Sequence, residues 1–258
     1  MSTIIYPSPI FGPVHSRRLG VSLGINLLPG DGKQCSFDCI YCECGFNKDH
    51  VTHSPRPTRA EVAAALERQL QKMVAEGVLP DVMTFAGNGE PTLHKDFAGI
   101  IDDTIALRNR YCPKAKIAVL SNATQCMRPA VHDALMKVDD NILKLDTVDA
   151  EYIRLTDRPV GKYDVEEIVR AMVAFDGHVI VQTMFMKGMH NGISVDNTSD
   201  EFVLPWLDAL KTIRPQQVMI YTIDRETPDA NLRKATHEDL DRIADILRAA
   251  GFNTSVSY

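Results

Sequence analysis

Cys35-Ser36-Phe37-Asp38-Cys39-Ile40-Tyr41-Cys42 puts three thiols into one short loop with the spacing C-x3-C-x2-C, just after an apolar, strand-like run. Cysteine thiolates hold iron–sulfur clusters, four of them when the cluster only carries electrons. Three close together leave one iron without a protein ligand, and an open coordination position marks a metal site built for chemistry. A zinc knuckle is the other reading. Structural zinc usually takes four N/S ligands in paired spacings, which a lone C-x3-C-x2-C does not supply. Cys44, Cys112 and Cys126 complete the six cysteines and read as small buried hydrophobes. Three thiols within eight residues fit metal ligation in a reducing cytosol better than a disulfide framework.

Working outward, residues 1–18 carry Pro7, Pro9 and Pro13 and read as an extended lead-in, because a residue before proline is pushed out of the helical region. Residues 19–28 form a first strand, closed by Pro29-Gly30-Asp31-Gly32, so the cysteine loop hangs from its end. Thr58 with Glu61 at the capping-box offset opens a helix. Its stripe of Val62, Leu66, Leu70, Met73 and Val74 stops at Gly77.

Further strands are expected at residues 81–86, 116–120, 141–146, 178–186 and 217–223. Helices are expected around Phe97–Ile105, at 128–138, from an Asp164 cap, around 202–213, and from Thr236 to Gly251. Six strand-then-helix units imply a parallel sheet with helices packed outside. Alternation alone fits a doubly wound sheet and a partial barrel equally.

The 258 residues allow one barrel-type domain or at most two small ones, and 45% hydrophobic content is enough for a sizeable core. A net charge of −6 without a basic run argues against a dominant nucleic-acid footprint. The sequence has no apolar run long enough to span a membrane and no secretory signal pattern, so a cytoplasmic protein is expected.

Other chemistry-bearing residues fall at strand ends. Gly87-Asn88-Gly89-Glu90-Pro91 follows the second strand; glycine lets backbone approach a ligand closely, and Asn88 also tolerates left-handed conformations. Ser121 and Asn122 end the third strand. Lys144 and Asp146, two apart on the fourth, share a face, with Leu143 and Leu145 on the other. Two charges pointing inward need partners, each other or a ligand. His94 is the one histidine placed to see a substrate, although a local hydrogen-bonding role suits it better. Met184, Met186 and Met189 read as core or barrel lining.

With its three-cysteine loop, the aromatic Tyr41 before the last thiol and the GNGEP element, the chain resembles the radical S-adenosylmethionine (SAM) superfamily. The resemblance implies a partial (β/α)6 TIM-like barrel, with chemistry at the carboxyl ends of its strands. It implies a [4Fe–4S] cluster on Cys35, Cys39 and Cys42 and SAM as cofactor. Tyr41 would lie against the adenine, and the backbone of Gly87, Asn88 and Gly89 with the Glu90 carboxylate would meet the methionine ammonium. Ser121, Asn122, Lys144 and Asp146 would meet the SAM carboxylate and ribose. One domain is expected over residues 1–258: a lead-in to 18 and a barrel over 19–251.

The stretch from Phe11 to Gly24 (FGPVHSRRLGVSLG), with GNGEPTLH, Lys144-Leu145-Asp146 and Asp157-Arg158-Pro159, is similar to Fe–S oxidoreductases grouped with the wybutosine-synthesis enzymes. Those enzymes are expected to bear a second cluster on upstream cysteines, and residues 1–34 have none, so their substrate does not carry over. Arg17 and Arg18 suit a phosphate or carboxylate, or a rim carboxylate. The resemblance implies a one-electron donor of flavodoxin or ferredoxin type and hydrogen abstraction from an RNA base, a protein or a small molecule. Activation of a glycyl-radical enzyme is the alternative within that class. A non-catalytic Fe–S or zinc electron-transfer protein is the alternative outside it, with Cys44 the nearby candidate for a fourth ligand.

Overall fold

The computed structural model describes residues 3–16 and 20–258. The chain opens with an antiparallel pair, β1 (Ile10–Ser16) and β2 (Gly20–Ile25). Then β3 (Val82–Phe85), β4 (Lys116–Ser121), β5 (Asp140–Lys144) and β6 (Ile180–Met184) add parallel to β2 in chain order. A hairpin of β7 (Met186–His190) and β8 (Ile193–Ser194) leaves the sheet after β6. Next, β9 (Gln217–Tyr221) pairs with β6, β10 (Leu232–Lys234) joins β7 in a three-stranded satellite, and β11 (Thr254–Ser257) ends the row. The main sheet therefore reads β1-β2-β3-β4-β5-β6-β9-β11.

That order decides between the two architectures left open by the alternation. A doubly wound sheet reverses its strand order at a switch point. Here the parallel strands advance in one direction, so right-handed crossovers stack every helix on one face and curl the sheet into a partial barrel. The crossover helices are α1 (Arg59–Glu76), α2 (Phe97–Tyr111), α3 (Pro129–Leu135), α4 (Ala150–Thr156), α5 (Val165–Val173), α6 (Asp200–Ile213) and α7 (His237–Ala249).

Side chains alternate as a strand period of two requires. Outward residues such as Met83, Phe85, Ile117, Val119, Leu143, Val181, Val218 and Ile220 join the helices in the main core. Inward residues Val82, Ala118, Ile142, Ile180 and Met219, one per strand, form a separate apolar layer inside the barrel. Helix starts follow local signals: Thr58 and Glu61 form a capping box on α1, Thr236 and Asp239 another on α7, and Asp164 caps α5.

Four sequence expectations are corrected. Part of the extended lead-in is a strand, because β1 continues the sheet beyond β2, and Tyr6 and Pro9 hydrogen-bond to Asn88 and Asn26. The barrel does not end at 251: after Gly251, β11 pairs with β9 and gives the described residues a seventh parallel strand. A helix not expected, α4, is capped by Asp149, whose side chain accepts the Tyr152 N–H at 2.7 Å. The fourth strand ends at Lys144, so Asp146 lies just beyond it rather than on it. Arg17 and Arg18 lie outside the described residues.

Candidate active site

The cysteine loop leaves the carboxyl end of β2 and is held by its own polar groups and by one remote segment. Asn47 ties it internally: its N–H donates to Asp38 at 2.7 Å and its amide to the Phe37 carbonyl at 3.1 Å. The segment from Thr156 to Val160 brackets it from outside. Ile40 N–H donates to the Thr156 carbonyl at 2.9 Å, Asp38 N–H to the Asp157 carbonyl at 3.0 Å, and Val160 N–H to the Ser36 carbonyl at 2.8 Å. Arg158, in the left-handed region at φ +52, sets its guanidinium 3.3 Å from Asp38. Asp157-Arg158-Pro159 thus clamps the loop through backbone groups, a role its sequence does not announce.

The three thiols sit together electrostatically but in different surroundings. Burial pushes the Cys35 thiol up to about 12, with the nearby Glu90 carboxylate acting in the same direction. Burial raises Cys39 strongly, reinforced by Asp157, whose carboxylate lies 3.7 Å from the sulfur. Cys42 goes the other way, to about 6, because Cys44 hydrogen-bonds to it and Lys33 adds positive charge. Cys44 is buried, with its sulfur 3.4 Å from the Gly87 carbonyl oxygen.

Among the described residues no group of three His, Cys, Asp or Glu side chains is arranged to hold a single metal ion, which counts against the zinc knuckle. A polynuclear cluster asks for something else. It spans its ligands through its own sulfides, so the thiols need not converge on one ion. Cys35 and Cys39, whose ionisation burial makes costly, call for a cationic centre beside them, which deprotonates a coordinating thiol outright. The donor set therefore fits an iron–sulfur core held by Cys35, Cys39 and Cys42.

The GNGEP turn lies against the loop backbone. Gln34 N–H donates to the Asn88 carbonyl at 2.9 Å, and Glu90 N–H donates back to the Gln34 carbonyl at 3.2 Å. A Cβ at Gly89 would stand 1.9 Å from the Gln34 carbonyl oxygen, at φ +128. Only glycine fits there. Asn88 does not use the left-handed conformation that asparagine tolerates. Its buried amide is engaged by main chain instead, donating to Tyr6 O at 2.9 Å and Pro29 O at 2.8 Å and accepting from Tyr6 N at 2.8 Å. That side chain ties the lead-in to the site and has no free polar atom for a cofactor.

Glu90 gathers the third-strand residues. Its buried carboxylate accepts from Ser121 Oγ at 2.9 Å, Asn122 N at 2.7 Å and Thr92 N at 3.0 Å. Burial raises its pKa, and these hydrogen bonds oppose the rise. Asn122 Nδ2 in turn points to the Cys35 sulfur at 3.6 Å and to Ser36 Oγ at 2.9 Å. Glu90, Ser121, Asn122 and Cys35 are one connected cluster.

Tyr41, Lys144, Asp146 and Asp157 are another. Tyr41 Oη lies 2.7 Å from an Asp157 oxygen and also contacts Asp146, with one proton to donate between them, and the Lys144 ammonium contacts Tyr41 Oη and Asp146 and lies 3.4 Å from Asp157. Burial works against the Lys144 charge, but the two carboxylates prevail and raise its pKa. Burial also pushes Asp157 up to about 6, despite Lys144. Lys144 and Asp146 are thus paired with each other, as one reading of the sequence had it, and with two further groups.

Tyr41 of the second cluster lines a cavity of about 520 Å³ inside the barrel, with Cys42, Cys44 and Gly87 beside it on the loop side, whereas Glu90, Ser121, Asn122, Lys144 and Asp146 are not among its lining residues. The opposite wall brings Leu120, Ile142, Gln182, Met184, Met219 and Tyr221 from successive strands. Tyr6, Phe11, Val14 and His15 from the lead-in close the near side, and the Phe11 ring lies flat on Gly24, where any Cβ would overlap it. Sequence reasoning missed these lining residues; the proline-rich spacing that makes the segment extended does not say what it covers. His94 is away from the cavity, with Nε2 2.8 Å from Pro57 O and Nδ1 accepting from Asp96 N. Met184 lines the cavity, Met186 is buried and Met189 is exposed.

A Helicobacter pylori UPF0026 protein is 32% identical over 221 residues, which cover 84% of this chain and 66% of that protein; the match thus spans about two thirds of the relative's length. A solved radical SAM methyltransferase from Sphaerobacter thermophilus superposes with a TM-score of 0.67 at 16% identity, over 92% of this chain and 66% of that one. TYW1 with a lysine-pyruvate adduct bound does so with a TM-score of 0.59 at 15% identity, over 88% and 73%. At these identities the structural likeness is one of fold, the partial barrel. The family model described as Radical SAM superfamily matches residues 31–194, from just before the cysteine loop to the β7–β8 hairpin. With its cysteine loop and glycine turn meeting at one cavity, this chain belongs to the Radical SAM superfamily and is an S-adenosylmethionine-dependent enzyme.

Proposed function

We propose that the chain holds a [4Fe–4S] cluster on Cys35, Cys39 and Cys42 and works as a single domain. The bound cluster and SAM would supply reductive cleavage to methionine and a 5′-deoxyadenosyl radical, which takes a hydrogen atom from a substrate. A one-electron donor of flavodoxin or ferredoxin type would feed the reaction. The observation that carries this reading is the placement of three half-buried thiols on one loop, with Cys42 in the wall of the barrel's interior cavity.

The protein's own residues bind, orient and exclude water. Gly87 and Gly89 let the turn backbone approach the loop and the cavity. Glu90 holds Ser121 and Asn122 at the strand end. Tyr41, anchored at its hydroxyl by Asp146 and Asp157, offers a ring face to the cavity for the adenine. The apolar layer beneath keeps the cavity floor dry.

The test is anaerobic reconstitution followed by a 5′-deoxyadenosine assay under dithionite. Wild type should form the product, and Cys35→Ala, Cys39→Ala and Cys42→Ala should each lose it. Undiminished cleavage in all three variants overturns the assignment. Supplying RNA, protein and metabolite pools separately then shows which raises turnover.

A further inference from the structure

Lys33 is a buried cation that the reaction as proposed does not use. It is 4% exposed, on the approach to the cysteine loop, and its N–H donates to the His50 carbonyl at 2.8 Å, so residues 33–50 close around it. The ammonium donates to the Gly45 carbonyl at 2.6 Å, and the Gly45 N–H donates to the Cys42 carbonyl at 2.9 Å, which sets the charge inside the cysteine loop. Its nearest carboxylate, Asp38, is 3.9 Å away and is shared with Arg158, which sits closer at 3.3 Å. A buried lysine is costly unless something offsets its charge, and Asp38 offsets it only in part. The remaining negative charge within reach would be that of the three cysteine sulfurs once they ligate the cluster as thiolates.

We propose that Lys33 is the fixed counter-cation of the cluster, raising its reduction potential through its charge. The inference rests on the cluster reading above. Cluster potential is set by net charge, hydrogen bonds to the sulfurs and solvent exposure. Lys33 acts on the first of these and, as a buried residue beside the loop, helps to limit the third. The added electron increases negative charge on the cluster, so a neighbouring cation favours the reduced state. Lys33 is a positioning residue that works through the cluster.

The test compares reconstituted wild type with Lys33→Gln, Lys33→Met and Lys33→Arg, without SAM, by iron and sulfide content and by an EPR-monitored redox titration. The neutral variants should load iron and shift to a more negative midpoint, while Lys33→Arg stays near wild type. If the neutral variants lose the cluster but keep wild-type circular dichroism, and Lys33→Arg still loads, the need for positive charge is also supported. Neutral variants that load fully with an unchanged midpoint overturn the inference. So does loss of the cluster in Lys33→Arg together with both neutral variants, which would make Lys33 a space-filling group. A wild-type chain that takes up no cluster instead removes the reading on which the inference rests.

Discussion

At the scale of single residues, two positions carry distinct physical loads. Gly89 has its would-be Cβ inside the contact distance of a backbone oxygen, and backbone cannot swing aside as a side chain can. Gly89→Ala should cost about 2–5 kcal/mol from φ strain and overpacking combined. Gly192, at φ +78 with nothing within 4 Å, is the control, and Gly192→Ala should cost only the strain, about 1 kcal/mol. Equal falls in melting temperature for the two variants would refute the packing argument. Lys144 has a side chain 13% exposed between two carboxylates that are 2% and 3% exposed. Lys144→Met leaves those charges buried without a cation, and should cost about 3–5 kcal/mol by urea unfolding. A loss below about 1 kcal/mol would mean the cluster is held by something other than its charges.

At the scale of elements, α7 shows how a helix terminus is pinned to the satellite sheet. Asp239 closes the capping box with Thr236 and accepts from Lys187 on β7 at 2.8 Å. Burial alone would raise its pKa, but the Lys187 and Thr236 hydrogen bonds outweigh it and hold the carboxyl below its ordinary value. The unfolded chain therefore takes up a proton first as pH falls, so Asp239's contribution is full above about pH 4 and is lost as pH drops through the folded value. Asp239→Asn should cost about 1 kcal/mol at pH 7 and progressively less toward pH 3 in denaturant melts. A penalty that grows on acidification would contradict that sign.

Such caps are short-range signals, which is why Thr58, Asp164 and Thr236 were legible in the sequence. The Asp149 cap of α4 carries the same signal, but it stands close behind the more conspicuous charges that follow β5. The bracket from Thr156 to Val160 had no local signature, because it holds the cysteine loop through carbonyl and N–H groups that any residue supplies.

At the scale of the molecule, strand alternation announced a parallel sheet, but only the unreversed pairing order shows it curling into a partial barrel. Long-range pairing explains what the sequence hid. β11 is a short Thr-Ser-Val-Ser segment with little apolar signal, and β1 is interrupted by a proline, so neither declares its partner. The site was legible as residue types at strand ends. How those residues divide was not: Glu90 groups with Ser121, Asn122 and Cys35, whereas Tyr41 groups with Lys144, Asp146 and Asp157, and Asn88 serves the lead-in.

The central claim, three cysteine ligands with one iron left open to SAM, is tested most directly by EPR of the reconstituted, dithionite-reduced protein before and after SAM is added. The account predicts a [4Fe–4S] signal whose g-values change when SAM binds the open iron. A reduced-cluster spectrum that stays the same at saturating SAM would contradict it.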